Sequence, residues 1–134
     1  MNIQGLQKLT LLDFPGKTAC TVFTGGCDLR CPFCQNASLV IHPPQESEYS
    51  EDKIFAYLKK RQGIIEGVAV TGGEPLMQPD IADFLQKVRD LGCAVKLDTN
   101  GTYPARLKEL VGAGLVDYVA MDVKAAPSGY PSAV

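Results

Sequence analysis

The sequence predicts an α/β fold with about four core parallel strands, arranged as part of a (β/α) barrel. Three observations carry this. Short β-branched, apolar runs recur along the chain; helical periodicities separate them; and the first two runs each stop at a Gly-Gly pair. Strands that alternate with helices run parallel, because a parallel neighbour is reached only through a long crossover connection.

Residues 3–14 precede a turn signal at Pro15-Gly16 and are expected to lie as an extended arm or an extra strand against the core. Residues 17–24 form the first core strand and stop at Gly25-Gly26. After a connection through Pro43-Pro44, Ser50 offers an N-cap and Glu51-Asp52 an acidic first turn for a helix running to about Gln62. Residues 66–71 form the second strand, closed by Gly72-Gly73. The next helix begins near Asp80, with Ile81, Phe84, Leu85, Val88 and Leu91 on one face and Gly92 as its stop. Residues 93–98 form the third strand, and residues 104–113 a helix with Leu107, Leu110 and Val111 inward. Residues 116–122 form the fourth strand. Beyond it, Pro127 to Pro131 supply no successor, so the outer edge of that strand is expected to be unpaired and the barrel incomplete at its C-terminal end.

At 134 residues and 46% apolar composition, the chain is expected to be one domain, residues 1–134. The net charge of −2 comes without long single-sign blocks, which argues against a charge-driven nucleic-acid partner. The first residues lack a basic segment followed by an apolar stretch, and no apolar run reaches membrane-spanning length. The cytoplasm is therefore the expected compartment, with no membrane partner.

Five cysteines in such a chain read as metal ligands or catalytic groups where they cluster, since the reducing cytosol disfavours disulfides. The cluster is Cys27-Asp28-Leu29-Arg30-Cys31-Pro32-Phe33-Cys34, a C-x3-C-x2-C arrangement directly after the first core strand. Three thiolates on one tight loop can converge on one face of an iron–sulfur cubane, and three ligands for four irons leave one iron open for a substrate. The alternative is a zinc site completed by His42, the single histidine. Thr71-Gly72-Gly73-Glu74-Pro75 ends the second strand, where two glycines permit close backbone approach to a ligand and a carboxylate can meet an ammonium. Asp98-Thr99-Asn100-Gly101 ends the third strand and Asp122-Val123-Lys124 the fourth. In a barrel-like parallel sheet these C-terminal strand ends gather on one rim, where active sites sit. Cys20 and Cys93 lie within strands and read as core packing.

The cysteine spacing, with an aromatic residue just before the third cysteine, resembles the radical S-adenosylmethionine (SAM) superfamily. That resemblance implies a 4Fe–4S cluster held by Cys27, Cys31 and Cys34, with SAM chelating the open iron. An electron from the reduced cluster then splits the sulfonium into methionine and a 5′-deoxyadenosyl radical. By the same resemblance, Gly72, Gly73 and Glu74 bind the SAM amino group, and Phe33 packs on the adenine near the backbone of Cys34 and Gln35. The segments Asp98-Thr99-Asn100 and Asp122-Val123-Lys124 are similar to the Asp-Thr-Asn-Gly and Asp-x-Lys stretches of glycyl-radical-enzyme activating enzymes. The likeness implies that they complete the cofactor pocket, with Asp122 and Lys124 on SAM and a monovalent cation beside Asp98 and Thr99. Residues 9–17, Leu-Thr-Leu-Leu-Asp-Phe-Pro-Gly-Lys, resemble the opening of activators of anaerobic ribonucleotide reductase. That implies a glycyl-radical partner of this kind and an electron donor such as flavodoxin or ferredoxin. Position 35 departs from the pattern, with Gln where many relatives carry His. Two further readings stay open: a radical SAM enzyme acting on a small molecule, and a binding module tied down by zinc or a saturated cluster.

Overall fold

A computed structural model of the chain describes residues 1–26 and 49–121. Its five strands form one sheet in chain order: β1 (Ile3–Thr10), β2 (Ala19–Thr24), β3 (Gly67–Gly72), β4 (Ala94–Thr99) and β5 (Tyr118–Met121). Between them run α1 (Glu51–Lys60) after β2, α2 (Ile81–Asp90) after β3 and α3 (Pro104–Gly112) after β4. The expected arm is a true strand: β1 pairs antiparallel with β2, while β2 to β5 pair parallel throughout. The sheet is open, and the four parallel strands are those expected from the sequence.

Local chemistry sets the helix ends. The Ser50 side chain accepts from the Lys53 N–H at 3.2 Å, Glu51 and Asp52 face the positive end of α1, and Lys59 and Lys60 the negative end. Asp80, at the start of α2, makes no side-chain cap bond. Its carboxylate instead accepts from the Met1 ammonium at 2.8 Å, which holds the Asp80 carboxyl below its ordinary range. Pro104 opens α3 at a position where its missing N–H costs nothing.

One core unites the helices with alternate strand residues. Cys20 and Val22, Val68 and Val70, and Val95 and Leu97 pack with Ile54, Leu58, Ile81, Phe84, Leu85, Val88 and Leu110. Each such side chain contributes about 1.5–3 kcal/mol by leaving water. The sequence expectation for Val111 does not hold: it is 48% exposed. Leu107 and Leu110 suffice for the inward stripe of α3, and the chain turns at Gly114 (φ +73°) to bring Leu115 into the core instead.

The opposite face is layered. Thr21, Ala69, Lys96 and Tyr118 lie in one row across β2 to β5, because each pairs with the next. One step toward the beginnings of the strands, Ala19, Gly67 and Ala94 form a row of small residues. The ring of Phe14 occupies the room they leave. A Cβ on Gly67 would stand 2.8 Å from two atoms of that ring, and Phe14 is only 3% exposed. Beside it, Asp13 Oδ2 accepts from Thr21 Oγ1 at 2.7 Å. The β1–β2 connection thus closes the sheet face where the parallel strands begin.

Burial determines the behaviour of the two core cysteines. Desolvation, helped by the neighbouring Cys93, pushes the Cys20 thiol up to about 12, and burial also raises that of Cys93. With a pKa near 12, only about one Cys20 in ten thousand is a thiolate at pH 8. Iodoacetamide at pH 8 is therefore expected to leave Cys20 and Cys93 unmodified in the native protein and to label both in denaturant. Mass spectrometry of the two peptides checks this.

Candidate functional site

Strands β2, β3 and β4 finish side by side, and the turn of residues 73–78 after β3 joins their ends. Thr24 pairs with Gly72, and just beyond that pair the backbones nearly touch. Gly72 has φ +110°, and a Cβ there would stand 2.3 Å from Thr24 N and O. A Cβ on Gly73 would stand 2.0 Å from the Gly26 carbonyl oxygen. Among the described residues, the close approach these glycines permit is therefore to the chain leading into Cys27. The Gly73 N–H donates to Thr24 O at 3.0 Å and the Glu74 N–H to Gly26 O at 2.8 Å.

Glu74 carries the connection on to β4. Its side chain is fully buried and accepts from Leu76 N–H at 3.2 Å, Thr99 Oγ1 at 2.7 Å and Asn100 N–H at 2.7 Å. Charged acceptors make stronger hydrogen bonds than neutral ones, so the carboxylate locks the end of β4 to the turn. Thr99 Oγ1 in turn accepts from Gly101 N–H at 3.2 Å, and Asn100 Oδ1 accepts from Thr102 N–H at 3.0 Å, which shapes the turn after β4.

Neighbouring residues on a strand point to opposite faces, so Asp98 and Thr99 part company. Thr99 meets Glu74, whereas the Asp98 Oδ1 atom lies 3.0 Å from Lys96 Nζ on the other face. That contact has ion-pair distance without hydrogen-bond geometry, and among the described residues the buried Oδ1 has no hydrogen-bond donor. Lys96 Nζ also stands 6.0 Å from the centre of the Tyr118 ring.

The structure brings Gly72, Gly73, Glu74, Thr99 and Asn100 together and sets Asp98 across the strand from them. Cys27, Cys31, Cys34, Phe33, Gln35, Asp122, Val123 and Lys124 lie outside the described residues. The points where the chain enters two of those segments are described, and both stand at this end of the sheet. Gly26 is held by Glu74 N–H; Met121 pairs with Thr99, and its Sδ lies 3.0 Å from where a Gly101 Cβ would be. Among the described residues, no three His, Cys, Asp or Glu side chains converge as a metal site.

Sequence reasoning passed over three residues. Gln78 and Arg106 brace the turn after β3, and Lys96 faces Asp98. A signal existed only for Lys96, which shares with Asp98 the alternation of β4 opposite Val95 and Leu97.

Residues 21–131 match the model of the radical SAM superfamily. The chain belongs to that superfamily. The open, mostly parallel sheet is consistent with part of the radical SAM barrel, and membership implies SAM and a 4Fe–4S cluster as cofactors. A Methanocaldococcus jannaschii protein named as a glycyl-radical enzyme activating enzyme is 32% identical over 128 residues, 91% of this chain and 50% of that protein. A 7-carboxy-7-deazaguanine synthase of Hyperthermus butylicus is 34% identical over 100 residues, 72% of this chain and 40% of that enzyme. A GTP 3′,8-cyclase of Listeria welshimeri is 35% identical over 99 residues, 69% of this chain and 29% of that enzyme. The chain thus spans half or less of the length of these relatives. Among the described residues, no helix is long and apolar enough to cross a membrane.

Proposed function

We propose that this protein is a radical SAM activating enzyme that installs a glycyl radical on a partner protein, an anaerobic ribonucleotide reductase. The observation that carries the reading is the convergence of the turn at Gly73 and Glu74 with the chain entering Cys27 and the end of β4. Cys27, Cys31 and Cys34 are the proposed cluster ligands, and their thiolates suit iron. When bound, the cluster and SAM supply the 5′-deoxyadenosyl radical that removes a hydrogen atom from the partner's glycine.

The chain's own residues bind and orient. The backbone at Gly72, Gly73 and Glu74 borders the amino end of SAM, while Thr99 and Asn100, pinned by Glu74, hold their part of the pocket. The proposed monovalent ion beside Asp98 and Thr99 would have to displace the Lys96 ammonium, which stands 3.0 Å from Asp98 Oδ1 and already supplies a positive charge there. In this reading Asp122, Val123 and Lys124 complete the pocket after β5, and Phe33 and Gln35 border the adenine. The likeness to the M. jannaschii protein over 91% of the chain supports activation of a glycyl-radical enzyme. The proposal sets the reaction in the cytoplasm, with flavodoxin or ferredoxin as electron donor.

The 34% and 35% identities to a deazaguanine synthase and a GTP cyclase favour a second reading, a radical SAM enzyme acting on a small molecule. One experiment separates the two. The anaerobically reconstituted protein is mixed with SAM, reductant and anaerobic ribonucleotide reductase, and both 5′-deoxyadenosine and the reductase's paramagnetic spectrum are followed. The activase reading expects a glycyl-radical signal on the reductase. Deoxyadenosine without that signal favours the small-molecule enzyme.

A further inference from the structure

We propose that Gln78 is a positioning residue for the cysteine loop: its buried side-chain amide, on a backbone braced by Arg106, fixes the Gly25 carbonyl and with it the path of the chain into Cys27. The inference rests on the reading of Cys27, Cys31 and Cys34 as cluster ligands.

Three consecutive carbonyls lead toward Cys27, and each is captured by a donor from the same short turn. Thr24 O accepts from Gly73 N–H at 3.0 Å, Gly25 O from Gln78 Nε2 at 3.0 Å and Gly26 O from Glu74 N–H at 2.8 Å. Two of these donors are backbone N–H groups, on Gly73 and Glu74. The third comes from a side chain, so it is the one bond of the clasp that a side-chain substitution removes directly.

Gln78 is 7% exposed, and both halves of its amide are engaged. Nε2 donates to Gly25 O, while Oε1 accepts from Asn2 N–H at 2.9 Å. An oxygen cannot donate to a carbonyl, so these two partners fix the orientation of the amide. Behind it, Arg106 Nη2 donates to the Gln78 carbonyl at 2.6 Å, and Nη1 donates to the carbonyl of Leu76. Arg106 lies in the first turn of α3, the helix that follows Thr99 and Asn100. The brace therefore ties the approach to Cys27 to the connection that carries the rest of the pocket.

Partners that orient the ligands of a metal centre, without touching the metal, typically change metal affinity by about 10- to 100-fold when removed. Glycines on either side of this contact, at 25 and 26, leave the chain little stiffness of its own. Loss of the Gln78 donor should therefore loosen the geometry of the first ligand more than it weakens the sheet.

The test uses Gln78→Glu and Gln78→Met in the full-length protein, reconstituted anaerobically. Glu keeps the acceptor for Asn2 but sets an oxygen against the Gly25 carbonyl; Met removes both bonds at similar volume. Expected in both variants is release of cluster iron to a chelator about tenfold faster than in the wild type. The reduced cluster should give a heterogeneous paramagnetic spectrum where the wild type gives one species. The unfolding midpoint of cluster-free Gln78→Met should fall by less than about 8 °C, as one or two lost hydrogen bonds imply. Iron release within twofold of wild type in both variants overturns the inference. So does loss of the whole fold in both, which would make Gln78 a general structural residue. If the wild-type protein itself builds no cluster, the cysteine assignment fails, and this inference with it.

Discussion

Anaerobically reconstituted Cys31→Ala protein is expected to form no 5′-deoxyadenosine from SAM and reductant, while its sheet remains folded. Removing one of three thiolates leaves two ligands for a cubane that needs three to keep a single iron open. The same outcome is expected for Cys27→Ala and Cys34→Ala. The fold should survive because the core of Val22, Val68, Val70, Val95, Leu97 and Phe84 is complete without any cysteine of the loop. Liquid chromatography of the reaction and circular dichroism of the protein read the two halves. Deoxyadenosine at the wild-type level from Cys31→Ala would remove the cysteine assignment, and a collapsed spectrum would show that the loop also supports the sheet.

The second large effect is expected from one methyl group. Gly72→Ala places a Cβ 2.3 Å from both Thr24 N and Thr24 O, in a backbone conformation of φ +110° that alanine strongly disfavours. Both atoms are backbone on a paired strand, so no side chain can swing aside. Strain and overpacking of this kind each cost about 1–3 kcal/mol, and together about 4 kcal/mol. A loss of that size is a large part of a small domain's stability. Chemical denaturation should show a midpoint far below wild type, or no cooperative transition. The control is Gly112→Ala at the end of α3, where a Cβ meets nothing within 4 Å and the midpoint should hold or rise.

What the sequence reveals divides along the range of the interactions. The helix of Ile81, Phe84, Leu85 and Val88 and the strands ending at Thr24 and Gly72 follow from local periodicity and glycine punctuation, and the structure keeps them. Val111 misleads because a stripe of apolar residues on a short helix does not say which of its edges meets the core, and Leu115 beyond the helix fills that place. Gly72 and Gly73 were legible as a place of close approach but not as an approach to Thr24 and Gly26, which lie far away along the chain: the neighbouring Thr24–Thr71 hydrogen bond spans 47 residues. Glu74 is similar: its carboxylate reads as a ligand-binding group, while its bonds to Thr99 and Asn100 exist only once β3 and β4 are side by side. Gln78 offers no local pattern at all, since a glutamine after a short turn looks like any solvated polar residue.

Phe14 gives the residues between β1 and β2 a different meaning from the one their sequence suggests. Its ring seals the side of the sheet farthest from Thr24, Gly72 and Thr99, where the proposed chemistry takes place. A likeness to other proteins in this stretch therefore reports how the sheet is covered where its parallel strands begin. Proteins can share such a plug and still differ at the other end of the strands, so on the proposed reading the choice of reaction partner would rest with residues on the side of Thr24, Gly72 and Thr99.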